Sequence, residues 1–338
     1  MPFDPDHQPL VPPPRRAPAR VLVTGSSGHL GEALVRSLPS AGYEPIGLDV
    51  LPSPFTHEVG SIADRALVRR CLRGADAVLH VATLHKPHVA THGYQGFVDV
   101  NVTGTLALLE EATAAGIRAF VFTSTTSAFG AALTPPPGAP AAWIDEDVAP
   151  IPKNIYGATK VAAEGLCELF HRAHGLPCLV LRTSRFFPEE DDRSELLQAF
   201  TADNLKANEF LHRRVEIEDV VGAHLLALER APALGFGRYV VSATSPFTRE
   251  DLAELRRDAP AVIARHAPAC PSVYARLGWR MPPSIDRVYV NDRARADLGW
   301  RPRWDFARVL ALLDAGEDFR SPLAQAIGAK GYHRNGTA

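Results

Sequence analysis

Residues 21–31 of the chain read VLVTGSSGHLG, a short apolar run that breaks into glycines spaced three residues apart. A β-branched run followed by glycines and then by apolar residues at helical spacing predicts a strand, a tight turn and a helix. In such a turn Gly25 permits the bend, Gly28 lets the backbone approach a pyrophosphate, and Gly31 lets the helix pack closely against the strand. We therefore predict a dinucleotide-binding βαβ unit whose phosphates lie at the helix N-terminus.

A carboxylate at the end of the next predicted strand indicates which dinucleotide the turn would take. Asp49 follows the strand-like run 43–48, about twenty residues beyond the glycines, where an acidic side chain can accept a hydrogen bond from the 2′-hydroxyl of an adenosine ribose. No arginine directly follows Asp49, so a 2′-phosphate would meet uncompensated negative charge. We therefore predict NAD as the cofactor, with NADP less favoured. A βαβ turn that binds nothing is the alternative.

Strand-like and helix-like segments alternate along the chain. Continuous apolar runs at 77–81, 118–124 and 176–181 are typical of parallel strands that are buried on both faces, and helix-like segments such as 97–115 separate them. This alternation predicts an α/β fold with a doubly wound parallel sheet of the Rossmann type. Beyond Arg182 the pattern loosens, which predicts a smaller C-terminal substrate-binding cap over the carboxyl ends of the strands.

These patterns divide the chain into parts. The N-terminal segment is rich in proline and has no apolar run of the kind that a signal peptide needs. No stretch of about eighteen apolar residues occurs that could span a membrane. The predicted divisions are a disordered Pro-rich tail at 1–19, a dinucleotide-binding domain at 20–182 to which 220–242 contributes, a mainly substrate-binding cap at 183–319, and a C-terminal tail at 320–338.

Composition argues against several classes of function. The chain has 338 residues and a formal net charge of −2, with both signs spread along the sequence, so no basic face for nucleic acid is indicated. The four cysteines are widely spaced, which indicates neither a zinc site nor a disulfide framework and fits a reducing cytoplasm. His85, His88 and His92 share a loop, but no neighbouring carboxylate pair supports a metal site there. We expect a cytoplasmic protein with a small-molecule substrate and without metal, nucleic-acid or membrane partners.

Tyr156 and Lys160 are the strongest catalytic candidates. They are four residues apart on a predicted helix, so both side chains project from one face. An ammonium beside a phenol lowers the phenol pKa from about 10, so Tyr156 can act as a general base and return the proton in the reverse direction. Thr125, at the end of a predicted strand, can hold the substrate oxygen beside Tyr156, and Lys160 can hydrogen-bond a cofactor ribose. An exposed helix pair and ordinary turn chemistry are the alternatives.

Taken together, several stretches resemble the extended short-chain dehydrogenase/reductase family, the group that contains NAD-dependent sugar epimerases and dehydratases. The resemblance covers residues 20–315. The motifs that carry it are Thr24-Gly-Ser-Ser-Gly28-His-Leu-Gly31, Asp49, Asp76-Ala-Val-Leu-His80-Val-Ala82, Asn101-Val-Thr-Gly104-Thr105, Thr123-Ser-Thr125 with Phe129-Gly130, Tyr156-Gly-Ala-Thr-Lys160 with Glu164, and Asp297-Leu-Gly-Trp300-Arg-Pro302.

The resemblance implies roles for individual residues, and it implies a homodimer formed through the helices near 97–115 and 156–173. Thr125, Tyr156 and Lys160 match the catalytic triad of the family. The positions that would line the cofactor are Gly25, Ser27, Gly28, His29, Leu30, Asp49, Ser61, Ile62, Val81, Ala82, Thr83, Asn101, Thr123, Tyr156, Lys160 and Ser184. The positions that would meet the substrate are His85, Thr125, Thr126, Arg185, Phe186 and Arg213.

Two departures from the family patterns bear on the reaction. Where the dehydratases of the family carry an Asp-Glu pair after the catalytic Thr, this chain has Thr126-Ser127, which disfavours dehydration. Where nucleotide-sugar enzymes commonly carry an Asn and a Gly after the strand-end Arg, this chain has Arg185 and Pro188. The pattern of a pyrophosphate site for a UDP-sugar is therefore incomplete, and Arg185 could instead clamp another anionic group.

These features predict an NAD(P)-dependent enzyme that acts on a hydroxyl-bearing carbon of a sugar or sugar-derived substrate by reversible hydride transfer. If the ketone stays bound and is reduced from its other face, the net reaction is epimerisation, whereas release of the ketone gives dehydrogenation or ketone reduction. A reductase of a small non-sugar ketone or aldehyde is a second hypothesis. A catalytically silent dinucleotide sensor is a third, which the intact set of Thr125, Tyr156 and Lys160 disfavours.

Overall fold

The computed structural model of the protein describes residues 19–189 and 198–331. The predicted Pro-rich tail lies outside this part except for Ala19, which begins the first strand. The end of the predicted C-terminal tail, 332–338, also lies outside it.

The predicted doubly wound parallel sheet is confirmed. Seven strands of the described chain lie in the order β3-β2-β1-β4-β5-β7-β8 with every neighbouring pair parallel, and β6 pairs with β9 in a separate two-stranded sheet. The strands are β1 (Ala19–Thr24), β2 (Tyr43–Asp49), β3 (Glu58–Val59), β4 (Ala77–His80), β5 (Ala119–Thr125), β6 (Ala142–Ile144), β7 (Cys178–Thr183), β8 (Phe236–Val241) and β9 (Arg287–Tyr289).

Helices follow most of the strands, as right-handed crossovers between parallel strands require. The strand order reverses between β1 and β4, and open α/β sheets bind ligands at the carboxyl ends of strands at such a point. The α-helices are α1 (His29–Ser37), α2 (Arg65–Cys71), α3 (Tyr94–Val98), α4 (Thr105–Ala114), α5 (Ile155–His174), α6 (Ala202–Phe210), α7 (Ile217–Leu234), α8 (Leu252–Leu255), α9 (Ala259–His266), α10 (Cys270–Leu277), α11 (Asp292–Asp297), α12 (Phe306–Ala315) and α13 (Pro322–Ile327).

Two hydrophobic layers enclose the central strands. Alternate side chains of one strand point to opposite faces, so Val21 and Val23 of β1 pack in the layer with α1 and α7, whereas Leu22 packs in the layer with α2, α4 and α5. All three side chains are fully buried. The continuous apolar runs in the sequence therefore reflect burial on both faces of the sheet.

Most residues of a further hydrophobic cluster lie in the predicted cap, and Ala141 and Trp143 join it from the segment around β6. Phe210, Val262, Val273 and Val309, from α6, α9, α10 and α12, are buried in it. The cluster is tied to the first turn of α7, because Asp219 accepts 2.8 Å hydrogen bonds from two backbone amides at 303–304. No helix in the described part of the chain is long and apolar enough to cross a membrane.

The structure differs from the predicted helix at 97–115 in its first part. Helix α3 leads into a π-helical segment, Asp99–Gly104, before α4 begins. A π segment widens the backbone hydrogen-bonding pattern and often occurs at functional sites, and this one carries the predicted site residue Asn101. Apolar periodicity cannot distinguish such a segment from a regular helical turn.

The structure also differs from the tail predicted at 320–338. Ser321 caps α13 by accepting a 3.0 Å hydrogen bond from the Ala324 amide, and Leu323, Ala324 and Ile327 pack against the layer that contains α1 and α7. Residues 320–331 are therefore part of the folded structure, because one side of this short helix is apolar enough to pack against the core. The small and polar composition of the segment does not reveal that contact.

Candidate active site

The glycine turn between β1 and α1 has the shape that a dinucleotide pyrophosphate needs. Gly25 has φ +74°, a left-handed conformation that favours glycine, and a Cβ there would lie 2.8 Å from the Ala82 backbone nitrogen. A Cβ at Gly31 would lie 1.9 Å from the Gly25 carbonyl oxygen. Both glycines therefore keep the turn close to the sheet, and the first amides of α1, which have no intrahelical acceptor, lie at its end. These residues fit the pyrophosphate of NAD.

Asp49 lies beside this turn at the end of β2. Its Oδ2 accepts a 3.0 Å hydrogen bond from the Ser27 amide, and its Oδ1 accepts a 2.9 Å hydrogen bond from the Leu51 amide. The carboxylate is thus fixed at the position where a ribose 2′-hydroxyl would be recognised. The arrangement fits the adenosine half of NAD.

A buried chain of hydrogen bonds supports the turn from the neighbouring strand. Thr24 Oγ1 accepts 3.1 Å hydrogen bonds from the amides at 81–82, so its proton goes to His80 Nδ1 at 2.8 Å. Thr105 Oγ1 donates to the Asn101 carbonyl at 2.7 Å, so it accepts from His80 Nε2 at 2.9 Å. His80 is therefore neutral with its proton on Nε2, and burial lowers its pKa well below the usual value.

Sequence reasoning gave His80 no role of its own. One feature of the sequence could have indicated such a role, namely a single histidine at the end of an apolar strand. A buried histidine needs hydrogen-bond partners for both of its ring nitrogens. The structure supplies a threonine on each side. His80 therefore acts as a connector between β1 and α4.

Asn101 holds the loop that follows β4. Its Oδ1 accepts hydrogen bonds from the Leu84 amide at 2.8 Å and the Thr83 hydroxyl at 3.0 Å. Its Nδ2 donates to the Leu84 carbonyl at 2.9 Å and to Thr159 Oγ1 at 3.1 Å. Asn101, predicted to line the cofactor, thus holds the loop at 83–84 and joins it to α5.

Tyr156 lies in the first turn of α5, at the carboxyl end of β5. The helix begins there because Asn154 caps it, accepting a 2.9 Å hydrogen bond from the Gly157 amide. Burial raises the pKa of Tyr156 to about 12, and the neighbouring Thr125 side chain opposes that increase. The structure thus brings the predicted hydroxyl and phenol together.

Lys160 is held by the strand rather than by Tyr156. Its Nζ donates a 2.6 Å hydrogen bond to the Thr123 carbonyl and lies 4.0 Å from the centre of the Phe122 ring. Burial lowers the pKa of Lys160 to about 7, and the Glu164 charge opposes that decrease. The predicted lowering of the Tyr156 pKa by Lys160 is therefore not found in this arrangement, where burial of the phenol dominates and raises its pKa.

Three consecutive residues of β5 contact three successive turns of α5. The side chains on α5 are four residues apart, so they share one face of the helix. Glu164, which sequence analysis placed only in a motif, accepts a 2.5 Å hydrogen bond from Ser124 and forms a buried ion pair with Arg182 at 2.7 Å. The contacting pairs are Thr125 with Tyr156, Thr123 with Lys160, and Ser124 with Glu164.

Aromatic side chains join the glycine turn to the loop after β4. Phe187 lies 5.4 Å from the His29 ring and 5.8 Å from the His85 ring, centre to centre, and His85 contacts His88 at 4.6 Å. Burial lowers the pKa of His85 to about 3. Phe186 is buried in the hydrophobic layer with α1 and α7, and Phe187 packs against the same layer. Contact of Phe186 with the substrate stays a prediction.

The remaining predicted substrate residues have mainly structural contacts. Arg213 forms an ion pair with Glu209 at 2.8 Å. Arg185 pairs in parallel through its backbone with Arg214, and Thr126 is buried at the start of a short 3₁₀ helix after β5. Binding of substrate by these residues stays a prediction.

Several predicted cofactor positions are buried near the carboxyl ends of the strands. The Thr123 hydroxyl contacts His224 at 2.8 Å on the side of the sheet that α7 covers. Thr123 therefore contacts Lys160 only through its backbone carbonyl. Ser61 accepts a hydrogen bond from the Ala63 amide at 3.1 Å. The residues packed in or against the two hydrophobic layers are Leu30, Ile62, Val81 and Ala82.

Ser184 differs from these positions because its hydroxyl lacks a partner among the described residues. The Ser184 amide donates to the Val241 carbonyl at 2.9 Å, but the buried Oγ has no hydrogen-bond partner there. An orphaned buried hydroxyl fits a position that a ligand completes. Within residues 19–189 and 198–331, no group of three metal-binding side chains is close enough to hold an ion.

Comparison with known proteins identifies relatives along most of the chain. A family model described as the NAD dependent epimerase/dehydratase family matches residues 21–241. The chain is 28% identical over 321 residues to UDP-glucose 4-epimerase of Streptomyces lividans, covering 81% of this chain and 94% of that protein. It is 27% identical over 331 residues to dTDP-glucose 4,6-dehydratase of Streptomyces antibioticus, covering 86% of this chain and 90% of that protein.

Solved structures share the fold. A short-chain dehydrogenase/reductase superfamily protein from Agrobacterium tumefaciens with bound NAD has a TM-score of 0.62 at 24% identity, covering 91% of this chain and 99% of that chain. UDP-glucose 4-epimerase from Thermus thermophilus in complex with NAD has a TM-score of 0.59 at 24% identity, covering 87% and 98%. The match to the family model confirms the predicted resemblance to the extended short-chain dehydrogenases/reductases and the predicted cofactor NAD. Because the family model matches more than half of this chain, the chain belongs to the NAD dependent epimerase/dehydratase family.

Proposed function

We propose that the protein epimerises a hydroxyl-bearing carbon of a sugar or sugar-derived substrate by reversible hydride transfer, with Tyr156 as the general base. The observation that carries this proposal is the burial of Tyr156 and Thr125 together at the carboxyl end of β5. A phenol and a hydroxyl at this edge of the sheet can hold one substrate oxygen between them. NAD, when bound, supplies the hydride acceptor.

The proposed chemistry conserves atoms and electrons in two opposite steps. In the first step, the ionised Oη of Tyr156 accepts the proton of the substrate hydroxyl, while the carbon loses a hydride, which bound NAD would take up, and becomes a ketone. In the second step, the hydride returns to the other face of the retained ketone, and Tyr156 gives its proton back. Thr125 keeps the oxygen in place through both steps, so the side chains need not move between them.

Tyr156 needs a nearby positive charge to act as a base. Burial holds its pKa at about 12, so a neutral phenol predominates at neutral pH. Lys160 is the cation on the same face of α5, and its pKa of about 7 allows it to carry a charge under these conditions. Although the Thr123 carbonyl holds the Lys160 ammonium in this structure, we propose that this charge stabilises the phenolate that forms during the reaction.

The choice among the family's reactions rests on the chain's own residues. Thr126-Ser127 offers no carboxylates for the removal of water, which favours epimerisation over dehydration. The relatives include both kinds of enzyme, since the epimerase of Streptomyces lividans is matched over 94% of its length and the dehydratase of Streptomyces antibioticus over 90%. Dehydrogenation or ketone reduction uses the same side chains and differs only in release of the ketone.

The test is an assay of the purified protein with NAD and a panel of UDP-sugars, dTDP-glucose, free sugars and sugar acids. Epimerisation gives a product of inverted configuration by NMR without net accumulation of reduced cofactor. Net reduction of NAD would instead support a dehydrogenase, and loss of one water in the mass spectrum would overturn the preference against dehydration.

A matched variant separates the enzyme from a dinucleotide sensor. Y156F removes the phenol oxygen and should lower kcat by about 100-fold or more, because general base catalysis contributes at least that much. NAD binding, measured by calorimetry, should stay unchanged. A protein that turns over no substrate in the panel and behaves alike with and without this oxygen would support the sensor.

The predicted homodimer through α4 and α5 stays a prediction. Of the apolar side chains on α5, Leu169 is 46% exposed, whereas Phe170 is buried in the hydrophobic layer that contains α5. An exposed leucine on this face is compatible with a subunit contact. Light scattering of the purified protein tests it.

A further inference from the structure

The C-terminal segment 321–331 runs from the start of α7 to the glycine turn. Ser321 is fully buried, and its amide donates a 3.2 Å hydrogen bond to Glu216, the residue before α7. Its hydroxyl contacts the same carboxylate. Helix α13 then packs between α1 and α7 through Leu323 and Ile327. The segment is thus anchored at one end by a buried polar contact and along its length by apolar packing.

The other end of the segment contacts the turn that receives the pyrophosphate. Lys330 Nζ donates a 2.8 Å hydrogen bond to the Ser27 carbonyl and pairs with Glu32 of α1. The Lys330 amide donates a 2.9 Å hydrogen bond to Glu189, whose carboxylate lies 2.8 Å from His29 Nε2. A residue from the end of the described chain therefore contacts three residues in or beside the turn.

The peptide groups around Ser27 are held from both sides. Asp49 accepts a 3.0 Å hydrogen bond from the Ser27 amide, and Lys330 Nζ donates a 2.8 Å hydrogen bond to the Ser27 carbonyl. Because a pyrophosphate is bound mainly by backbone groups of this turn, its affinity depends on how well the turn is fixed beforehand.

The charge of Lys330 is not needed merely to neutralise Glu32. Arg36, one turn further along α1, already pairs with Glu32 at 2.7 Å. Lys330 therefore brings an ammonium to the first turn of α1, where the carboxylates of Glu32, Glu189 and Asp49 also lie, whereas Arg36 is in the last turn of the helix. A positive charge there favours a bound anion in the same direction as the helix dipole does.

We propose that residues 321–331 form a clasp on the NAD site, in which Lys330 fixes the Ser27 carbonyl and supplies positive charge to the pyrophosphate. The family model matches residues 21–241, so the proposal assigns a binding role to a segment outside the matched residues. It requires only the NAD cofactor and is independent of the sugar substrate. Its failure would leave the proposed epimerase activity untouched, because its test measures binding and not turnover.

Calorimetric titration of K330M with NAD, ADP-ribose and adenosine tests the proposal. Loss of the ammonium should raise the Kd for NAD and ADP-ribose about tenfold, equivalent to about 1.4 kcal/mol, and should leave adenosine binding unchanged, since adenosine carries no phosphate. The affinity for NAD should also depend less steeply on salt in K330M than in the wild type. K153M is the matched control, because Lys153 is exposed and hydrogen-bonds Thr134.

A second measurement does not depend on a variant. The Lys330 amide donates to Glu189, so NAD should slow hydrogen exchange at this amide in the wild-type protein if the clasp tightens on the bound cofactor. An unchanged Kd in K330M would overturn the proposal. Tighter binding of NAD by K330M would also overturn it, because the segment would then obstruct the site.

Discussion

Ser124 donates a 2.5 Å hydrogen bond to Glu164 between β5 and α5, where both residues are at most 2% exposed. The same carboxylate accepts from Arg182 of β7 at 2.7 Å. One buried anion therefore ties the helix to two neighbouring strands. This contact fixes the register of α5 against β5, and that register places Tyr156 beside Thr125.

Removing the charge of Glu164 should destabilise the fold. E164Q keeps the shape of the side chain but leaves the buried Arg182 guanidinium without its close counter-charge, and breaking a buried ion pair costs about 3 kcal/mol or more. Urea denaturation should show this loss in the free energy of unfolding. The double variant E164Q/R182M should recover part of it, because it leaves no buried charge unpaired.

An exposed ion pair provides the control. Arg276 and Asp314 pair at 2.7 Å with more than half of each side chain exposed, so D314N should change the free energy of unfolding by less than about 0.5 kcal/mol. Equal effects of D314N and E164Q would show that the buried network contributes no more than a surface contact does.

Much of the fold was predictable because its signals are local. The glycine turn, Asp49 and the apolar strands each occupy a short stretch whose spacing determines its geometry, and Tyr156 and Lys160 share a helix face for the same reason. The clasp was not predictable, since Ser27 and Lys330 are 303 residues apart. No spacing rule joins residues so distant in sequence.

The pKa values of Tyr156 and Lys160 could not be predicted from the sequence. Helical spacing correctly places Tyr156 and Lys160 on one face, but it cannot show that burial is the larger influence on both pKa values. It also cannot show that the Thr123 carbonyl holds the ammonium. Local pattern predicts which groups meet, whereas the surrounding packing decides their protonation.

The stability of the protein should depend on pH through Lys160. Burial lowers the pKa of Lys160 to about 7, whereas a lysine in an unfolded chain has a pKa of about 10.4. Between these values the unfolded state binds more protons at this residue, so the free energy of unfolding rises with pH. Relative to K160M, the wild type should gain about 3 kcal/mol between about pH 7 and pH 10.

Urea denaturation of the wild type and K160M at several pH values measures this difference. Titration of other groups cancels in the comparison, because both proteins contain them. K153M, which changes an exposed lysine, should follow the wild type throughout. Parallel pH profiles for the wild type and K160M would contradict a lowered pKa of Lys160 in the folded protein.

Thr24 should be essential to the glycine turn because its hydroxyl binds the backbone amides at 81–82 beside it. T24V preserves the shape but leaves the amides at 81–82 without an acceptor and His80 Nδ1 without a donor. Buried polar groups without partners cost about 1 to 3 kcal/mol each, so the free energy of unfolding should fall by about 2 kcal/mol or more. Urea denaturation measures the loss, and calorimetry should show weaker NAD binding.

T113V is the control for T24V. Thr113 donates only to the Leu109 carbonyl within its own helix, so removing its hydroxyl leaves no buried donor unpaired. Its effect on stability should be within about 0.5 kcal/mol. If T24V were as mild as T113V, the hydrogen-bond chain through His80 would not support the turn.

A methyl group at Gly31 should disrupt the dinucleotide site directly. In G31A the Cβ would lie 1.9 Å from the Gly25 carbonyl oxygen, and because this carbonyl belongs to the backbone, the turn must move away from α1. We expect the Kd for NAD to rise at least about tenfold. The free energy of unfolding should fall by about 1 to 3 kcal/mol, which is the usual cost of overpacking a protein core.

G165A is the matched control, since Gly165 lies on α5 with no heavy atom within 4 Å of an added Cβ. Alanine there should stabilise the helix by up to about 1 kcal/mol. Wild-type affinity for NAD in G31A would mean that the pyrophosphate does not bind at this turn.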